Sequence, residues 1–168
     1  MSLLSILHFP DSRLHLKAKE VVIFDEKLHQ LVQDMADTMY ENKGIGLAAT
    51  QVNVQQQVII MDLSGSDEPR NLMVLINPKI IDKKGEVVSE EGCLSVPGVY
   101  ESVKRSENIQ VKYQDISGAE HSLDCDGLLA VCIQHEVDHL MGKVFVEYLS
   151  ALKQTFIKKK MHKIFKPK

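Results

Sequence analysis

Cysteine is scarce in this chain and tryptophan is absent. The 168 residues hold three Cys and no Trp. An odd, sparse set of thiols excludes a secreted disulfide framework and points to a reducing compartment. Each Cys therefore reads as core filler, reactive thiol or metal ligand. Long apolar runs are missing as well. The opening stretch to Pro10 lacks a basic flank and is broken by Ser5 and His8, so no signal peptide is expected. No later run approaches the ~18 residues that a bilayer span needs. Repeats, low-complexity tracts and linkers are also lacking. With 44% hydrophobic and 26% charged residues the chain is neither disordered nor fibrous. The expectation is one globular domain over 1–168, in the cytoplasm, with no membrane contact and no second subunit.

Helical spacing covers 26–42, where Leu28, Leu31, Val32, Met35, Ala36, Met39 and Tyr40 recur behind Asp25 as cap. Gly44 is read as its stop. The period then shortens. Val58–Met61 and Met73–Ile76 are β-branched runs suited to buried strands. Ile109, Val111 and Tyr113 alternate with polar residues, and Asp115–Gly118 is a turn that folds this strand back onto 119–125 as a hairpin. A second helix is read at 127–141, closed by Gly142. A third starts after Ser150, with Leu149, Leu152, Phe156, Ile157, Met161 and Ile164 as its apolar stripe. This order predicts an α+β fold: mostly antiparallel sheets around a central helix, with N- and C-terminal helices.

The formal charge of −3 conceals an asymmetry. Residues 148–168 carry seven lysines and no acid, leaving 13 basic against 23 acidic residues elsewhere, or −10. This basic C-terminal helix reads either as a solvated face or as a docking surface for a polyanion such as RNA.

The strongest local signal is His135-Glu136-Val137-Asp138-His139. On a helix, positions i and i+4 share a face, so both imidazoles can hold one divalent metal. Glu136 stands beside them to take a proton from water. A catalytic site needs a third protein ligand. Downstream, Phe145 occupies the place where a metzincin has histidine, and Glu147 is the only acid after His139. Upstream, Cys132 shares the helix face, but its sulfur falls short of a metal centred about five residues further along, ~7–8 Å away. Cys125 reads as core. Cys93, in the irregular segment Glu90–Gly98 with Gly92 and Pro97-Gly98, is the leading candidate. Glu90, Asp138 and Arg105 read as supports of the site or as solvated charges.

Three segments resemble peptide deformylase: Gly44-Ile45-Gly46-Leu47-Ala48-Ala49-Thr50-Gln51, then Glu91-Gly92-Cys93-Leu94-Ser95, then Gln134 through His139. Their order and spacing match, and the resemblance covers essentially the whole chain; the basic C-terminal helix is similar to that of the bacterial class with a helical tail. The resemblance implies a hydrolase that removes the formyl group from N-formyl-methionyl nascent chains. It implies Cys93, His135 and His139 as metal ligands and Glu136 as general base, then acid. Gln51 and the Leu94 N–H would form the oxyanion hole, and the backbone at Ile45, Gly46 and Gly92 would pair with the peptide. It also implies Fe²⁺ as the resident metal, with Zn²⁺, Ni²⁺ or Co²⁺ able to replace it. Leu128, Val131 and Cys132 are read as lining for the methionine side chain or as plain core. Tyr100 stands where many members carry Arg. Lys158–Lys168 would meet ribosomal RNA. Two rivals remain open at this point: a peptidase acting on unformylated peptides, and an RNA-binding module with a structural metal.

Overall fold

The computed structural model describes residues 2–165. Its elements begin with helix α1 (Glu26–Glu41), followed by strands β1 (Gly46–Ala48), β2 (Val58–Met61), β3 (Met73–Lys84), β4 (Val87–Cys93), β5 (Val96–Arg105), β6 (Asn108–Gln114) and β7 (Glu120–Asp126). Helices α2 (Gly127–Leu140) and α3 (Ala151–Ile164) close the chain. Five strands form one sheet in the order β1-β2-β3-β6-β7, and β4 pairs with β5 in a second. All pairings between these strands are antiparallel.

The composition of β2 explains how the layers meet. All four of its residues are buried. Val58 and Ile60 pack with Leu28, Val32, Met35 and Met39 of α1, whereas Ile59 and Met61 pack with Ala130, Cys132 and Ile133 of α2. A strand covered on both faces needs a continuous apolar run rather than alternation. The sheet is therefore sandwiched between α1 and α2. The third apolar cluster joins the N-terminal segment (Leu7, Phe9, Leu14), β5 (Val96, Val99, Val103), Val144–Val146 and α3 (Ile157, Met161).

α1 is capped locally at its start, and both α1 and α2 stop for local reasons. Asp25 Oδ1 accepts the Leu28 N–H at 3.1 Å and so caps α1. At its other end the left-handed residue is Lys43 (φ 57°), not Gly44. Lys43 N donates to Tyr40 O and Gly44 N to Met39 O, the paired bonds of a Schellman close. Gly44 instead leaves room for a side chain: a Cβ there would lie 2.7 Å from Leu94 Cδ1 and displace it. At the end of α2 the same pair of bonds runs from Gly142 to His139 and from Lys143 to Asp138, and here Gly142 itself is left-handed (φ 81°).

Three expectations need correction. Met73–Ile76 is only the first third of β3, whose later residues are largely polar and exposed and so carry no apolar signature. The segment around Cys93 is irregular only at one break in a hairpin and is not a loop. Cys93 ends β4 opposite Val96, after a break in register at Glu91, and Leu94-Ser95 make the turn. Finally, the apolar stripe of α3 is largely on the surface. Ile157 and Met161 are buried, but Leu152, Phe156 and Ile164 are 81%, 69% and 52% exposed.

Candidate active site

The hairpin β4–β5 and helix α2 bring together side chains far apart in sequence. Cys93 Sγ lies 3.4 Å from His139 Nε2, and the two Nε2 atoms of His135 and His139 are 3.2 Å apart. One donor atom from each of these three residues lies within 4.8 Å of the others. A tetrahedral ion bonded at about 2.05 Å to nitrogen and about 2.3 Å to sulfur sets such separations at about 3.3 and about 3.6 Å. The donors thus fit a single divalent metal.

The surroundings agree with that fit. Glu136 Oε1 and His139 Nδ1 are the buried side-chain polar atoms without a protein partner among the described residues. Burial pushes the Glu136 carboxyl up to about 7. Burial also holds His139 well below its ordinary value, in the neutral form a ligand requires. At His135 burial acts in the same direction, but Cys93, Glu136 and Glu91 overcome it and raise the ring well above its ordinary value.

A scaffold of charge holds the donors. Glu91 Oε1 accepts from His135 Nδ1 at 2.9 Å, fixing the ring so that Nε2 faces the donor cluster. Arg105 grips Glu91 with two bonds of 2.8 and 2.7 Å and reaches Asp138 with a third of 2.7 Å. Burial works to raise the Glu91 carboxyl, and the Arg105 and His135 bonds reverse it, leaving it lowered. Gln134 ties α2 to the β5–β6 turn by bonding both the N–H and the carbonyl of Ser106. The support from the hairpin is thus Glu91; Glu90 is exposed. Glu91 stands two residues before Cys93, with the break in strand register between them.

A cavity of about 550 Å³ opens onto this cluster. Ile45, Gly46, Gln51, Gly92, Cys93, Leu94, Leu128, Val131, Cys132, His135 and Glu136 all line it, as does Tyr100. His139 lies behind the lining, 1% exposed. Gln51 is buried; its Oε1 accepts from Ala48 N, while its Nε2 donates to Ser95 Oγ at 3.0 Å and to Cys93 Sγ at 3.4 Å. Gly46 is fitted closely, since a Cβ there would sit 3.0 Å from Cys132 Sγ and 3.1 Å from Glu136 Cδ. Tyr100 lays its ring against Gly92, with Cε1 2.6 Å from where a Cβ would stand. Leu128 and Ile45 are 57% and 47% exposed, so they form the mouth, whereas Val131 and Cys132 are buried. Cys132 is outside the donor cluster. Cys125 is only partly buried, against the α2 side of the sheet.

Two imidazoles and a thiolate converging beside a buried, unpartnered carboxylate define a mononuclear metallohydrolase site on an α+β frame. Comparison with known proteins then places the chain within that class. It belongs to the polypeptide deformylase family, whose sequence model matches residues 3–155. It is 56% identical to a peptide deformylase of Chromobacterium violaceum over 97% of this chain and 96% of that one. It is also 56% identical to one of Neisseria gonorrhoeae, with the same coverages. Among solved structures, the peptide deformylase of Ehrlichia chaffeensis in complex with actinonin superposes with a TM-score of 0.94 at 42% identity, covering 99% of this chain and 100% of that one. The Legionella pneumophila enzyme gives 0.90 at 43% identity with the same coverages. The family is one of metalloenzymes that remove the N-formyl group from nascent peptides. No described helix is long and apolar enough to cross a membrane.

Proposed function

We propose that Cys93, His135 and His139 hold one divalent metal and that the chain deformylates N-formyl-methionyl peptides at this point. The observation carrying the reading is the convergence of the three donor atoms beside the unpartnered Glu136 Oε1. An ion held there supplies Lewis acidity, lowering the pKa of a water toward neutrality. Glu136 takes that water's proton at its free oxygen. The water oxygen bonds to the formyl carbon, and the formyl oxygen becomes an oxyanion. Gln51 Nε2 gives up its weak contact with Cys93 Sγ to donate to that oxyanion, and the Leu94 N–H is the second donor. Glu136 then returns the proton to the amine nitrogen as the C–N bond breaks. Formate and a free N-terminal methionine leave.

Substrate placement follows from the cavity. Val131 and Cys132 form the buried wall and Leu128 the rim of an apolar pocket for the methionine side chain. β1 is an edge strand, bonded only to β2 in its sheet, so the backbone at Ile45 and Gly46 is available to an added strand, with Gly92 across the cleft. Iron(II) is the ion we assign; zinc, nickel or cobalt suits the same donors. A cytoplasmic setting fits, because oxidation of Cys93 would remove a ligand.

We also assign the face of α3 to ribosomal RNA. Lys153 is engaged by Glu101 and Lys160 by Gly98 O, but Lys158, Lys159 and Lys163 are exposed beside Phe156. Lys166 and Lys168 lie outside the described residues.

The test is formate release from formyl-Met peptides by anaerobically purified protein, with metal content measured. Formate should appear with the wild type. With Glu136→Gln it should nearly vanish while metal is retained. Hydrolysis of unformylated peptides without formate release would overturn the reading.

A further inference from the structure

Among the described residues that follow α2, Tyr148 is the one whose side chain hydrogen-bonds to the charge scaffold around the metal donors. It ends the short 3-10 turn Phe145–Tyr148, two residues before Ser150 caps α3. Its hydroxyl donates to Asp138 Oδ2 at 2.8 Å. The same oxygen accepts Arg105 Nη1 at 2.7 Å, and the Arg105 guanidinium lies 5.1 Å from the centre of the Tyr148 ring. The ring is 49% exposed, so burial of the ring alone does not account for its placement.

Charge counting gives this contact a purpose. Arg105 faces two carboxylates, Glu91 and Asp138, with a single positive charge. Two carboxylates competing for one guanidinium would tend to draw it from one to the other. A neutral hydroxyl donor on Asp138 satisfies the second carboxylate in part. That leaves the bidentate edge of Arg105 directed at Glu91, which orients His135. Asp138 also directly precedes His139. The hydroxyl therefore acts on both halves of the α2 donor pair, through Arg105 and Glu91 on one side and through the helix backbone on the other.

We infer that Tyr148 is a positioning residue for the metal centre, and that it couples the root of the basic C-terminal helix to the imidazole ligands. This rests on the assignment of Cys93, His135 and His139 as the metal site. A carboxylate directly behind a ligating histidine typically contributes 10–100-fold in metal affinity. Tyr148 stands three hydrogen bonds beyond that carboxylate, so a smaller loss, about 3–10-fold, is expected for Tyr148→Phe, below that scale.

The experiment uses full-length protein loaded with cobalt(II), whose visible bands report the ligand geometry. The wild type should show a sulfur-to-cobalt absorption. Tyr148→Phe should shift the visible bands and lower cobalt affinity in a chelator competition, while the melting temperature of the metal-free protein changes little. In an Asp138→Asn background, Tyr148→Phe should have little further effect on affinity. If Tyr148→Phe leaves bands and affinity unchanged, or acts independently of Asp138→Asn, the tyrosine only anchors the tail and the inference is refuted. If the wild type shows no sulfur-to-cobalt band, the metal assignment itself falls, and this inference with it.

Discussion

Replacing Arg105 with Met tests whether the charge scaffold, rather than apolar packing alone, holds the two ligand-bearing elements together. Arg105 joins β4 to α2 through three short charge-assisted bonds. Its side chain is 4% exposed and that of Glu91 is 5% exposed. Methionine keeps much of the volume and removes all three donors. The buried Glu91 is then left with His135 as its only side-chain partner. Removing one partner of a buried pair typically costs about 3–5 kcal/mol. For a chain of this size each kcal/mol lowers the melting temperature by roughly 2–4 °C. A fall of roughly 6–20 °C is therefore expected at neutral pH. The assay is thermal unfolding followed by circular dichroism on metal-free protein, so that metal affinity does not enter. The cause is isolated by adding Glu91→Gln, which removes the stranded charge while keeping an acceptor for His135. The double variant should be more stable than Arg105→Met alone. An Arg105→Met protein within about 1 kcal/mol of the wild type, about the effect of an ordinary point substitution, would refute the reasoning. So would a double variant destabilised by the sum of the two single changes.

Gln51→Ala should lower kcat by about 10²–10³-fold, the usual effect of deleting one oxyanion donor, with little change in KM; steady-state kinetics on a formyl-Met peptide checks this. Gly46→Ala places a methyl against Cys132 Sγ and the Glu136 carboxylate. It should depress activity while metal content, read by elemental analysis, stays at the wild-type level. Asp62, whose N–H donates to Ile45 O behind the cleft, supplies a pH test of stability. Burial works to raise its carboxyl, but bonds from Ser64, Tyr40 and Asn71 overcome this and leave it well below its ordinary value. A lowered folded-state pKa stabilises the fold above the unfolded value, about 3.9, and that contribution fades as the pH falls toward the folded one. Urea unfolding should accordingly show the gap between wild type and Asp62→Asn narrowing from pH 6 to pH 3.

Legibility in the sequence followed how local the cause was. α1 and α2 were readable because caps and spacing lie within each segment, and β2 was readable because a strand covered on both faces must be apolar throughout. The β6–β7 hairpin was readable from its turn. The β4–β5 hairpin was not. Its residues alternate poorly, and Gly92 and Pro97-Gly98 suggest a loop, whereas Gly92 makes room for the Tyr100 ring. The stripe of α3 misled because helical spacing of apolar residues does not reveal whether a partner surface covers them; the fold buries Ile157 and Met161 and leaves Phe156 outside. Within the site, the histidines and Glu136 share one helix turn, so spacing alone could suggest them. The Arg105 scaffold could not be read that way. Its members at 91, 105, 138 and 148 come from four separate elements and meet only in space.

The placement of the donors on two separate elements also bears on chain topology. Cys93 and His139 are 46 residues apart, and β5, β6, β7 and most of α2 lie between them. An ion bridging them is a reversible cross-link that closes this loop. Because such an ion binds the folded donors and is released on unfolding, it stabilises the fold by mass action, by about 4.1 kcal/mol when its free concentration is about 1,000 times its dissociation constant. That is a large part of the ~5–15 kcal/mol by which domains are stable. Oxidation of Cys93 would therefore open the staple as well as stop the chemistry. A molecule that had lost this proposed ligand would then be easier to unfold as well as inactive.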